Sequence, residues 1–247
     1  MTPLKQTILE TSGDFIIYDE TLVSAPGGRL FDPEFWGANA APHSEGRGTV
    51  WFIDHSGAHW ILKTFQRGGL IARLIKRHYF FLGHAHSRMI REYRLLSQMY
   101  QIGLPVPRPV AAYSRRTAVF GYSGSLITER LRDVKSLAAR LLASETLDDH
   151  RWQEIGRTIR KFHDRDVCHS DLNAGNILLH ENGVYLIDFD RGRFRSGGSM
   201  CDWRRANLDR LKRSVDKLQV DADFDLAQAW GALVQGYNAS LQCGKKN

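Results

Sequence analysis

Three oxygen-bearing side chains are spaced in a way that suits phosphate chemistry. Asp171 and Asn176 lie five positions apart within His169–Leu179, on what reads as a loop, and Asp188 follows twelve positions later within Leu186–Asp190, at the end of an apolar strand predicted over Val184–Phe189. Phosphoryl transfer needs a carboxylate that orients an attacking hydroxyl and accepts its proton, and oxygen ligands that hold Mg²⁺ against a triphosphate. Asp171, Asn176 and Asp188 supply that set. Taken singly, the first two read as turn caps and the third as a strand end; their order and spacing together point to chemistry.

The arrangement resembles the catalytic and metal-binding loops of the protein-kinase-like superfamily, which implies Asp171 as the base and Asn176 with Asp188 as metal ligands. Ser170 stands where an Arg is usual, so regulation by a phosphorylated loop is not expected. Asp190 replaces the Gly that follows Asp-Phe, either as a further metal-associated group or as a satisfied turn residue. Upstream, Gly46-Arg47-Gly48-Thr49-Val50-Trp51 resembles a glycine-rich phosphate loop, with Gly46 and Gly48 letting backbone N–H groups approach phosphate and Trp51 in place of a third Gly. Lys63 then falls where a lysine binds the α- and β-phosphates. Glu92, the one acid among Arg88, Arg91 and Arg94, is its natural partner, with a local pair to Arg88 as the alternative. Glu129 and Leu131, in Thr128–Leu131, occupy the expected hinge whose backbone binds adenine.

The elements that must carry these groups divide the chain. Its 247 residues, 43% hydrophobic and 11% aromatic, suffice for one large domain or two lobes sharing a cleft and exclude disorder. Up to about residue 130 the sequence predicts strands over Phe15–Tyr18, Thr49–Ile53 and His59–Phe65, the last two joined by an Asp54–Gly57 turn. Further strand character follows over Thr117–Thr128, around Gly121 and Gly124. Between them lie a basic helix within Leu70–Leu82, a helix over Ser87–Tyr100 ending near Gly103, and a Pro-rich stretch, Leu104–Pro109, that cannot be helical. From residue 131 on, helices are predicted over Arg151–His163, from Trp203 with Leu208, Leu211, Val215 and Leu218 on one face, and within Leu226–Gly244. The expected fold is α+β and two-lobed, with an antiparallel β-rich lobe over 1–130 and a mainly helical catalytic lobe over 131–247.

Charge is unevenly placed. Of a net +7 (34 Lys and Arg against 27 Asp and Glu), +6 sits between Arg67 and Arg94. In the predicted basic helix Leu70, Ile71, Leu74 and Ile75 face away from Arg73, Lys76 and Arg77, a pattern of either a membrane-surface helix or a core helix with a solvated face. No signal peptide or spanning segment is expected, and Cys168, Cys201 and Cys243 support neither a disulfide framework nor a zinc site.

The ordered motifs of Gly46–Phe52, Arg67–Leu74, Arg91–Leu96, Gly103–Ala112, His169–Leu179, Leu186–Arg195 and Trp203–Ser214 resemble the 3-deoxy-D-manno-octulosonic acid (Kdo) kinases, in a lipopolysaccharide kinase group that includes heptose kinases. The stretches around Arg67–Leu70 and Trp203–Leu211 carry that resemblance. It implies transfer from ATP, with Mg²⁺, to the 4-hydroxyl of Kdo–lipid IVA at the cytoplasmic face of the inner membrane, by a peripheral protein that has no nucleic-acid partner. Lys63 departs from the Arg that relatives often carry. Arg191, Arg193 and Arg195 are candidates for the Kdo carboxylate or a solvated basic turn, and Trp203 and Arg204 for substrate contact or packing. Competing readings are a heptose or other small-molecule kinase and a non-catalytic adaptor for anionic lipid, whose mark would be loss of Lys63, Asp171 or Asp188.

Overall fold

The computed structural model describes residues 2–45, 48–65, 83–116, 122–195, 202–218 and 225–239. Gly46, the basic helix expected at 70–82, the first part of the Thr117–Thr128 prediction, Cys201 and Cys243 lie outside them. Two compact units are resolved: Met1–Ile102 with Pro107–Arg130, and Gly103–Val106 with Leu131–Asn247.

The first unit is built on an antiparallel sheet: β1 (Gln6–Glu10), β2 (Asp14–Asp19), β3 (Ala40–Glu45), β4 (Gly48–His55), β5 (Ala58–Phe65), β6 (Pro109–Arg116) and β7 (Tyr122–Glu129), in the order β1-β2-β6-β7-β5-β4-β3. The expected hairpin is β4–β5, closed by Ser56 (φ 50°) and Gly57 (φ 79°), the two left-handed residues a tight primed turn requires. Against the sheet lies a short helix, α1 (Pro33–Trp36), capped by Asp32, whose Trp36 joins Ile16, Phe31, Ile53, Leu62 and Ile127 in a buried cluster. The long helix α2 (Arg88–Gln101) packs on β6 and β7 and ends before Gly103 (φ 78°). Close approach here depends on Gly124 of β7, where a Cβ would lie 2.7 Å from the Met89 methyl.

Strand β6 escapes prediction for a physical reason. Its first six residues are all buried, so they show none of the polar alternation that marks a half-exposed strand. Its neighbour β2 is fastened by a buried ion pair: Arg108 Nε and Nη2 donate to Asp19 Oδ2 at 2.9 and 2.6 Å, while Asp19 Oδ1 accepts from the backbone of Lys5 and Thr21 at 3.1 Å. Every oxygen of the desolvated carboxylate is satisfied, the condition under which a buried charge is tolerated.

The second unit is mainly helical: α3 (Leu137–Leu142), α4 (Asp149–Asp164), α5 (Trp203–Asp216) and α6 (Leu226–Ala239), with short strands β8 (Lys135–Ser136), β9 (Val167–Cys168), β10 (Ile177–His180), β11 (Gly183–Leu186) and β12 (Arg193–Phe194). The strand expected over Val184–Phe189 is shorter than predicted, because β11 pairs with β10 only to Leu186 and the chain then turns. On α5 the buried residues are Trp203, Asn207, Leu211 and Val215, so a polar Asn belongs to the face predicted to be apolar, while Leu208 and Leu218 are only half-buried. Helices α4 and α6 touch backbone to backbone: a Cβ on Gly156 would lie 2.0 Å from the Leu233 carbonyl oxygen, and one on Gly236 2.0 Å from that of Gln153. Among the described residues no helix is long and apolar enough to cross a membrane.

His163 closes this core. Its ring lies between Trp203 and Tyr237, Nδ1 is 2.7 Å from the Tyr237 hydroxyl, and burial pushes its pKa down to about 4.

Two outcomes follow from this packing. Gly156→Ala should cost about 1–3 kcal/mol, as overpacking does, seen as a lower urea midpoint at unchanged slope. Gly231→Ala, on α6 with nothing within 4 Å of its Cβ position, should be neutral or stabilising. Because folded His163 binds its proton only near pH 4 while the unfolded chain binds it near ~6.5, its contribution is complete above ~6.5 and is lost as pH falls toward 4, by roughly 3 kcal/mol at most. Thermal midpoints measured across that window should fall less steeply in His163→Gln.

Candidate functional site

The segment from His169 to Asn176 has almost no regular structure, so its shape must come from side chains. His169 is buried, and desolvation holds its pKa below the ordinary value, which keeps the imidazole neutral. Nδ1 accepts from the Asp171 backbone N–H at 3.1 Å, so the ring proton sits on Nε2, which donates to the Ile187 carbonyl at 2.9 Å. One neutral ring therefore joins the segment carrying Asp171 to the segment carrying Asp188. The Ser170 hydroxyl adds a second tie, donating to the Arg191 carbonyl, and β9 pairs with β12 through Cys168↔Arg193 and Val167↔Phe194.

Asn173 shapes the turn that follows. Its Oδ1 accepts from the N–H groups of Gly175 (2.8 Å) and Asn176 (3.2 Å), and its Nδ2 donates to the Asp171 carbonyl (3.0 Å) and to Asp171 Oδ2 (3.3 Å). Asn176 Nδ2 donates to the same carbonyl at 2.9 Å, and the Ile187 N–H reaches the Asn176 carbonyl at 3.1 Å, which sets Asp188 next in line. Asp188 adopts φ 62°, a left-handed conformation costing a non-glycine residue about 1 kcal/mol, and its side chain is exposed. Among the described residues no three His, Cys, Asp or Glu side chains gather as a metal cluster. An Asn amide oxygen with one Asp nevertheless fits Mg²⁺, which keeps several waters and takes its remaining ligands from phosphates. With Asn176 Nδ2 used internally, Oδ1 is the atom left to coordinate.

Helix α5 grips this segment from one side. The Asn207 side-chain amide accepts from the His169 N–H (3.2 Å) and donates to the His169 carbonyl (2.8 Å). Ser214 Oγ accepts from the Ala174 N–H at 3.1 Å, and Arg210 Nη1 lies 3.2 Å from Asp171 Oδ1. Positions 207, 210 and 214 recur at helical spacing and meet loop residues 169, 171 and 174. None of the three stands out from residue type alone; the available signal was their position inside the Trp203–Ser214 motif. Trp203 and Arg204 serve packing: Arg204 stacks on the Trp203 ring at 4.5 Å, and its Nη2 donates to Asp166 Oδ1 at 2.6 Å. Arg191 and Arg193 are exposed, while Arg195 is half-buried with its backbone N–H on the Asp166 carbonyl.

In the first unit Lys63 sits on β5 between Val50 and Leu126, with Nζ 3.7 Å from Oε2 of buried Glu92 on α2 and 5.0 Å from the centre of the Phe65 ring. That separation is an ion pair longer than a direct hydrogen bond. Gly48 opens β4, paired with Glu45 at the end of β3. Glu129 ends β7, its N–H bound to the Arg108 carbonyl at 2.8 Å and its carboxyl pushed above the usual range by burial. Leu131, half-buried, begins the irregular segment after it.

Comparison with known proteins gives the family of the chain. The family model described as lipopolysaccharide kinase (Kdo/WaaP) family matches residues 34–237. Proteins named 3-deoxy-D-manno-octulosonic acid kinase are similar to the chain: one from Actinobacillus succinogenes at 36% identity, over 85% of this chain and 90% of its own. Another, from Vibrio vulnificus, shares 37% over 91% and 94%, and one from Xylella fastidiosa 42% over 79% and 78%. A solved structure titled "WaaP in complex with acyl carrier protein" superposes with a TM-score of 0.54 at 16% identity, covering 87% of this chain and 91% of that one, a likeness of fold: α+β, two-lobed and protein-kinase-like. A family match over residues 34–237, together with relatives of this identity along most of the sequence, makes the chain a member of the lipopolysaccharide kinase (Kdo/WaaP) family.

Proposed function

We propose that this chain is an ATP-dependent 3-deoxy-D-manno-octulosonic acid kinase of lipopolysaccharide core biosynthesis, acting on the 4-hydroxyl of the Kdo residue of Kdo–lipid IVA. The observation that carries the reading is the exposed Asp171 carboxylate, held beside Asn176 and the Ile187–Asp188 turn by His169 and Asn207. The names of the relatives supply the acceptor.

In this reading the acceptor hydroxyl docks on Asp171. The carboxylate orients the oxygen toward the γ-phosphorus and takes up its proton as the new P–O bond forms and ADP leaves. Asn173 and His169 hold Asp171 in place through this step, so little reorganisation is needed. Asn176 and Asp188 would hold Mg²⁺, which when bound neutralises charge on the phosphates. Lys63, positioned by Glu92, binds the α- and β-phosphates, the glycine turn at Gly46 and Gly48 gives backbone N–H groups to them, and the backbone at Glu129 and Leu131 receives adenine.

The protein works as a peripheral component at the cytoplasmic side of the inner membrane. The basic amphipathic stretch at 70–82, whose Arg73, Lys76 and Arg77 are attracted to anionic headgroups, supports this.

Asp171→Ala should lower phosphate transfer from radiolabelled ATP to Kdo–lipid IVA by at least about a hundredfold while ATP affinity stays unchanged; turnover near that of the unaltered enzyme removes Asp171 from the role. NMR of the product fixes which hydroxyl is modified, and faster transfer to a heptosylated acceptor would reassign the substrate. Replacing Arg73, Lys76 and Arg77 together with Gln should weaken association with anionic liposomes by up to about a hundredfold, at about 1 kcal/mol per cation, without changing ATP binding; equal sedimentation would exclude a membrane role for this stretch.

A further inference from the structure

We infer that Arg210 is the binding site for the carboxylate of the sugar-acid acceptor, an assignment that rests on the kinase reading above and adds its specificity determinant. The geometry gives Arg210 an unusual place. It reaches from α5, one turn beyond Asn207, to put Nη1 3.2 Å from Asp171 Oδ1, across 39 positions of sequence. Asp171 is its one partner among the described residues, so a single donor of its five is engaged.

Two simpler roles do not account for this contact. The side chains are 48% and 62% exposed, and an ion pair this accessible contributes little to stability. Orientation of Asp171 is already secured by Asn173 on Oδ2 and on the backbone carbonyl, and by His169 on the backbone N–H.

The chemistry of the acceptor supplies a role. A hydroxyl that gives its proton to Asp171 must come within about 3 Å of that carboxylate. In a 2-ulosonic acid the carboxylate is carried on the anomeric carbon, and the 4-hydroxyl is only two ring carbons away. Docking the hydroxyl therefore brings two carboxylates within a few ångströms of each other, where they repel unless a cation lies between them. Arg210 is the guanidinium in contact with Asp171, and its remaining N–H groups offer the planar fork that matches a carboxylate. Arg191 and Arg193, considered above for this task, are exposed on the neighbouring turn, where the Arg191 carbonyl accepts from Ser170. A neutral sugar of similar shape would leave the Arg210 fork without a partner, so the same residue selects for sugar acids.

The test compares the unaltered enzyme, Arg210→Gln and Arg210→Lys in steady-state transfer to Kdo–lipid IVA and to the same acceptor with its Kdo carboxylate converted to the primary amide. Arg210→Gln should raise the acceptor KM about tenfold or more and leave the ATP KM within roughly twofold, with Arg210→Lys between the two, as expected for loss of a forked charge-assisted contact. On the amide acceptor the difference between enzymes should largely vanish, since the cycle then lacks both charges. An equal penalty on both acceptors, or a loss confined to kcat, would assign Arg210 to holding Asp171 and overturn the proposal, as would no penalty at all. Thermal midpoints check that the variants fold, which the exposure of Arg210 favours. An unaltered enzyme that transfers nothing to Kdo–lipid IVA sinks the kinase reading and this one with it, whereas an active enzyme indifferent to Arg210→Gln sinks this one alone.

Discussion

The proton on His169 Nε2 is the constraint on which the site depends. A buried imidazole in its neutral form has one donor and one acceptor, and both are committed, Nε2–H to the Ile187 carbonyl and Nδ1 to the Asp171 N–H. A charged ring would have two donors and would set an N–H against the Asp171 N–H. Desolvation favours the neutral ring, so the burial that fills the core also selects the tautomer that ties the two segments. Phe189, stacked on Phe162 and packed against the His169 ring, fixes that ring from its other side.

From this point the structure separates rigid support from exposed chemistry. Asn207 meets both backbone groups of His169 from inside the protein, and at 6% exposure it is almost entirely shielded from solvent. Asp171 and Asp188 stand outside that core, exposed to solvent. The division follows from desolvation: a carboxylate buried deeply enough to be immobile would not be a usable anion, so immobility has to come from neighbours that are buried on its behalf. The left-handed backbone at Asp188 belongs to the same arrangement, since the β10–β11 pair, hydrogen-bonded up to Leu186 just before it, anchors the segment in which it lies.

Much of this was legible in the sequence, and what was hidden shares a cause. The β4–β5 hairpin, α2, α4 and α5 announced themselves through turn residues and periodicity, and the spacing of Asp171, Asn176 and Asp188 marked the two segments that the His169 ring ties together. Lys63 and Glu92 were credible partners from chain order, and they lie 3.7 Å apart. Strand β6 stayed hidden because burial of six successive residues erases alternation, and β1 because it is a short, mostly exposed edge. Asn207, Arg210, Ser214 and Asn173 stayed hidden for a related reason. Their meaning lies in contacts across some forty residues or in a turn's internal hydrogen bonds, and neither leaves a periodic trace.

The placement of Asn207 shows how such residues are to be found. A helix with one polar position in an otherwise buried stripe carries a desolvation cost that folding alone does not repay unless the amide is fully hydrogen-bonded. In α5 the stripe Trp203, Asn207, Leu211, Val215 has that one interruption, and its partner is an irregular backbone whose N–H and C=O groups at His169 it satisfies. The two liabilities cancel: the loop is relieved of unsatisfied backbone and the helix of an unsatisfied side chain. Once Asn207 fixes the rotation of α5 against the loop, the helical repeat brings residue 214 to the Ala174 N–H and residue 210 to Asp171. A polar residue out of pattern in a buried helical face is thus evidence that the helix supports an irregular segment, and the residues three and seven positions on are where that segment's chemistry is touched.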